Sequence, residues 1–144
     1  MLQKHWILVA NASHAKVFER TSFTAPLVEL SDWLHPESRM SASETERAPL
    51  GHSEAGRAGL APRSDLKHLH RSEFASTLSK YFHHAVLSHR LEALALFVSS
   101  PFMGELLSHL DASVQHTLVA KHVLDLTSLS VTELDKRLRR EFRL

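Results

Sequence analysis

The chain has 144 residues, 43% hydrophobic and 23% charged, which is enough apolar content for one ordinary domain spanning 1–144. The absence of cysteine excludes disulfide frameworks, thiolate metal sites, iron–sulfur clusters and cysteine nucleophiles, and fits a reducing compartment. Seventeen Lys and Arg against 16 Asp and Glu leave a formal charge of +1, so an anionic partner must meet a local patch rather than a global field.

The first apolar run, Trp6 to Ala10, is shorter than the roughly 7–15 residues of a signal-peptide core, and no stretch approaches the ~18 needed to span a bilayer. A cytoplasmic protein with no membrane partner is the expectation. No internal repeat points to a solenoid or propeller.

Lys4 to Ala10 (KHWILVA) is β-branched and aromatic, Asn11 to His14 supplies turn chemistry, and Ala15 to Arg20 (AKVFER) resumes a strand, which together predict a hairpin. Leu27 to Trp33 alternates, placing Val28 and Leu30 on the covered face of a third strand and Glu29 and Ser31 on the wetter one. The segment 34–65 holds three of the four glycines, three of the five prolines and no aromatic residue, and reads as a long loop that either carries function or is mobile.

Ser64 and Asp65 are positioned to cap a helix in which Leu66, Leu69, Phe74, Leu78, Tyr81, Phe82 and Ala85 form one apolar stripe, ending near Ser88. Leu91 to Val98 is apolar at nearly every position, as in a strand covered on both faces. Ser100 as cap and Pro101 in the first turn open a second helix, with Phe102, Met103, Leu106, Leu107 and Leu110 on its buried side. Leu118 to Leu126 is a last strand. Ser130 to Glu133 forms a capping box for a last helix, along which Val131, Leu134, Leu138 and Phe142 repeat at three, four and four.

The order β-β-β-loop-α-β-α-β-α, with right-handed crossovers, predicts an α/β fold. Its centre is one mixed five-stranded sheet of three antiparallel strands and then two βα units, with helices on both faces, the ribonuclease-H-like layout. A nuclease of that layout needs acidic residues gathered at strand ends to hold two divalent cations. The first strand has no acid, the Leu91–Ser99 strand has only Glu92 at its start, and Asp32, Asp125 and Glu19 remain as isolated carboxylates.

The twelve histidines show no metal-ligand pattern: His68 and His70 are two apart on a helix, His83 and His84 are adjacent, and there is no His-Glu-x-x-His. No metal and no cofactor are expected. Nucleophile elbows, phosphate loops and dinucleotide fingerprints are absent, so no catalytic residue is assigned.

Basic clusters remain. Lys136, Arg137, Arg139, Arg140 and Arg143 crowd the last helix, where cations complement the C-terminal end of the helix dipole. Arg57, Arg63, Lys67 and Arg71 lie in or just after the Gly/Pro loop and are the candidate nucleic-acid-binding residues, because cations beside such a loop suit a phosphate backbone.

Five stretches in order carry a resemblance over nearly the whole chain: WILVANASHAKVFER, LVELSDWLHPESR, GRAGLAPRSDLKHLHRSEFASTLSKYF, LEALALFVSSPFMGELLSHL and LVAKHVLDLTSLSVTEL. They resemble the bacterial host attachment protein family. That family is similar to the middle domain of eukaryotic and archaeal peptide-chain release factors and of Pelota, and belongs with bacterial-archaeal release-factor-like proteins. The resemblance implies the same ribonuclease-H-like sheet.

Release factors carry a Gly-Gly-Gln tripeptide before a long helix whose start bears a Phe-Ala pair, and Phe74-Ala75 follows the loop here in similar fashion. The tripeptide is absent. Gly56-Arg57-Ala58-Gly59 is the nearest glycine-rich stretch, and the only glutamines are Gln3 and Gln115. The chain also has Glu46 to Gly51 where the family usually has Ser-Asp-x-Pro-Gly-Arg.

The expectation is a non-catalytic cytoplasmic module associated with the ribosome, tRNA or other RNA. The alternatives are a factor that acts in attachment or stress physiology by binding a protein partner, and a hydrolase that uses the loop. One shared face for the four basic residues favours RNA, an exposed apolar patch favours a protein partner, and a pocket beside the loop lined by perturbed His or carboxylates favours a hydrolase.

Overall fold

A computed structural model of the chain describes residues 4–35 and 63–144. The elements are β1 (His5–Asn11), β2 (His14–Arg20), β3 (Val28–Leu34), α1 (Arg63–Leu87), β4 (Ala93–Val98), α2 (Phe102–His109), α3 (Ala112–Gln115), β5 (Leu118–Val123), α4 (Val131–Arg137) and a π-helical turn (Leu138–Phe142). The strands form one five-stranded sheet in the order β3-β2-β1-β4-β5. β2 runs antiparallel to β1 and β3, while β1, β4 and β5 are parallel. This is the expected mixed α/β layout.

The β1–β2 hairpin closes because the Asn11 side-chain oxygen accepts from the backbone N–H groups of Ser13 and His14, both at 2.9 Å. An Asx turn of this kind satisfies the amides that leave the ladder. β4 is buried at all six positions between β1 and β5, as its unbroken apolar run requires.

Two cores sandwich the sheet. On one face Trp6, Leu8, Leu94 and Leu96 pack against Phe74, Leu78 and Phe82 of α1 and against Phe102 and Leu106 of α2. On the other, Ile7, Val9, Phe18 and Phe97 pack against Leu134 of α4 and Leu138 of the π turn. Each fully buried side chain of this size contributes roughly 1.5–3 kcal/mol.

Several expectations are corrected in detail. Val28 and Leu30 of β3 are exposed, whereas Ser31 and Trp33 turn inward onto Tyr81, so the covered face is the opposite one. The register slips between Val17 and Phe18, which face Ser31 and Glu29, leaving Leu30 as an extra residue that inverts the alternation. Ser100 does not cap α2. Pro101 occupies the cap position, and the backbone N–H of Met103 donates to Ser99 O at 2.9 Å instead.

The final strand stops at Val123, and α3, which the sequence did not single out, is capped by Asp111 accepting from Val114 N at 3.0 Å. The apolar stripe of α1 is buried only from Phe74 onward, and Leu69 is 50% exposed. The capping box at Ser130 and Glu133 forms as expected. Of the expected loop at 34–65, Leu34 belongs to β3 and 63–65 to α1, while 36–62 lie outside the described residues.

Candidate functional site

α1 begins at Arg63, which places Arg63, Lys67 and Arg71 at successive four-residue intervals along one stripe of the helix. A four-residue step advances about 6 Å, so the stripe extends about 12 Å. Lys67 is exposed and Arg71 partly so, and neither forms an ion pair among the described residues. Arg57, the fourth candidate, lies outside the described residues.

This placement works against the helix. A cation in the first turn opposes the helix dipole, and like charges four residues apart cost roughly 0.2–0.5 kcal/mol per pair. Two of the five cations at the last helix, Arg137 and Arg139, are used differently. Arg139 donates to Asp135 at 3.0 Å and to the carbonyl of Ala25, and Arg137 donates to Glu141 at 2.9 Å. Arg20, only 3% exposed, reaches the same Asp135 from β2. Burial pushes the Asp135 carboxyl up, but its contacts with Arg20 and Arg139 outweigh this and hold it below the usual carboxylate value.

The isolated acids considered as nuclease ligands each have a structural partner. Glu19 accepts from the Trp6 indole at 3.0 Å, Asp32 lies 2.8 Å from the His14 ring, and Asp125 accepts from Asn11 at 3.1 Å and from Thr127 at 2.6 Å. Burial raises the Asp125 carboxyl, and the Thr127 and Asn11 hydrogen bonds more than reverse that. Glu19 and Asp32 tie neighbouring strands, Asp125 ties the end of β1 to the segment after β5, and among the described residues the three do not gather as a set of metal ligands.

Histidines line the α1–α2 seam. Glu105, with its side chain 13% exposed, lies between His68 at 3.2 Å and His109 at 3.3 Å, and Ser72 Oγ lies 3.0 Å from His109 Nε2. The set superficially has the members of a Ser-His-Glu triad. A relay needs the serine on one ring nitrogen and the acid on the other, whereas here Nε2 faces both, so the arrangement is a seam contact. A further small cleft, 80 Å³ in volume, is bordered by His5, Arg20, Phe23 and Arg143.

A third grouping was not foreseen. His35, just past β3, and His70 and Glu73 on α1 bring their ligand atoms within 4.8 Å of one another. Among the described residues, His35 Nε2 and His70 Nδ1 are both buried without a hydrogen-bond partner. His70 and Glu73 sit at helical i, i+3 spacing, a legible signal, but His35 is brought to them only by the folding of β3 beside α1.

The family model described as "Protein required for attachment to host cells" matches residues 6–138. The chain belongs to the host attachment family. The match runs from β1 to the start of the π turn, so it includes α1 and the residues His35, His70 and Glu73. No curated protein matches the chain. Among the described residues of this host attachment protein, no helix is long and apolar enough to cross a membrane.

Proposed function

We propose that this member of the host attachment family is a non-catalytic cytoplasmic module that associates with RNA, in the ribosome or as tRNA. The observation that carries the reading is the Arg63–Lys67–Arg71 stripe. Three cations stacked at the N-terminal end of a 25-residue helix weaken that helix, and an RNA phosphate backbone offsets the cost. The positive end of the helix dipole adds to the attraction. The likeness to release-factor middle domains that the sequence resemblance implies would accord with this reading, and the lack of Gly-Gly-Gln in the sequence sets the proposed module apart from peptidyl-tRNA hydrolysis.

The test is sedimentation with ribosomes through a sucrose gradient at low and moderate salt, beside an Arg63→Ala/Lys67→Ala/Arg71→Ala variant. Co-migration should weaken steeply with salt and with the variant. Wild-type protein that stays at the top of the gradient at low salt overturns the proposal.

A second reading, association with a protein partner, is favoured by the edge strand β5, where Val119 and Val123 are 54% and 63% exposed beside an unpaired backbone edge.

A further inference from the structure

We propose that His35, His70 and Glu73 form a binding site for one divalent first-row metal ion of the zinc class, independent of the RNA-binding stripe. Two imidazoles and one carboxylate are a donor set that zinc accepts, with a water completing the tetrahedron. The ligand atoms of the three residues already lie within 4.8 Å of one another. Bonds of about 2.0–2.2 Å in a tetrahedral site place ligand atoms about 3.3–3.6 Å apart, so the widest separation closes by at most about 1.5 Å. Glu73 is exposed and has the rotamer freedom to close it.

The second observation is the state of the two rings. His35 Nε2 and His70 Nδ1 are shielded from water and, among the described residues, have no hydrogen-bond partner. A buried polar atom without a partner is unfavourable, and a metal ion that accepts both lone pairs removes that cost. The rings are 6.3 Å apart between centroids and make no hydrogen bond to each other.

The surroundings hold the donors in place. The His35 backbone N–H donates to Ser13 O at 2.8 Å, which fixes the chain at the end of β3. Its ring stacks on Phe74 at 5.0 Å with planes 5° apart, and Phe74 stacks in turn on the buried Phe102 at 5.4 Å. His70 and Glu73 are carried by one rigid helix. The ion joins the end of β3 to the third turn of α1, on the two sides of segment 36–62 in the sequence.

The test uses the full chain, stripped of metal with a chelator, in competition with a chromophoric zinc indicator. Wild type is compared with Glu73→Gln, His70→Ala and, as a control for surface histidines, His116→Ala. The expected result is one tight equivalent of zinc per chain, weakened at least about tenfold in Glu73→Gln, lost in His70→Ala and unchanged in His116→Ala. Zinc should also raise the urea midpoint of wild type and not that of His70→Ala. Glu73 is exposed, so its variant reports on the site without disturbing the core, and circular dichroism checks the helix content of both variants. A wild-type chain with no tight equivalent, or a tight equivalent that survives both Glu73→Gln and His70→Ala unchanged, overturns the proposal.

Discussion

The first three turns of α1 and the last helix are both rich in cations, yet the fold ties two cations of the last helix to acids and, among the described residues, ties neither Lys67 nor Arg71 of α1. In α4 and the π turn, Leu134 and Leu138 are buried, Ser130 and Glu133 cap the start, and Arg137 and Arg139 are tied to Glu141 and Asp135. In the first turns of α1, Leu69 is half exposed, Lys67 and Arg71 have no acidic partner among the described residues, and the His70 ring has an orphaned nitrogen. The difference teaches that equal charge content has different meanings. Cations satisfied by the fold explain themselves through stability, while cations and imidazoles that the fold leaves unsatisfied are where a partner or an ion has something to gain.

The largest expected contrast is between two leucines. Leu138→Ala removes a fully buried side chain from the second core and should cost about 2–5 kcal/mol, whereas Leu69→Ala at its half-exposed position should stay within about 0.5 kcal/mol. Urea midpoints of the two variants measure this directly. Equal costs would mean that the start of α1 is as tightly packed as the last helix, and the comparison would fail.

Next in size is Asp135→Asn, which leaves the buried Arg20 without its carboxylate and should cost about 2–4 kcal/mol, in the lower range for breaking a buried pair because Asp135 keeps some water contact. The sign with pH follows from the lowered carboxyl. A group held below its ordinary value contributes stability above that value, about 3.9, and loses it as pH falls through the folded one. Wild type should therefore lose stability progressively below about pH 4, and Asp135→Asn should lose less over the same window. Urea melts at pH 7 and at pH 3 test both statements.

The smallest effect is the one that distinguishes the two helices most sharply. Lys67→Ala removes a like charge four positions from both residue 63 and residue 71 of α1 and should raise thermal stability slightly, by roughly 0.2–0.5 kcal/mol per pair, while Arg139→Ala should lower it. A loss of stability in Lys67→Ala would show that this cation is already spent within the fold.

Much of the fold was legible along the chain. The unbroken apolar run of β4 required burial on both faces, and the Ser130–Glu133 capping box marked the start of α4 at its observed residue. The Arg63–Lys67–Arg71 stripe was legible once α1 was recognised, since helical spacing alone aligns its positions. The covered face of β3 was not, because one extra residue at Leu30 inverts the strand without any mark in its composition. The cap of α2 was misread for a similar reason: the backbone carbonyl of Ser99 supplied what the Ser100 side chain was expected to supply.

The sequence by itself determined the five strands, the three longer helices, their order and hence the mixed sheet, because hydrophobic period and capping chemistry act over a few neighbouring residues. It also determined that no thiol or Gly-Gly-Gln chemistry is available, since that depends only on which residues are present. Only the tertiary structure decided that Arg20 meets Asp135 across 115 positions, and that His35 arrives beside His70 and Glu73. Such meetings depend on how β2 and β3 are placed against helices far along the chain, and no local pattern of side chains carries that distance.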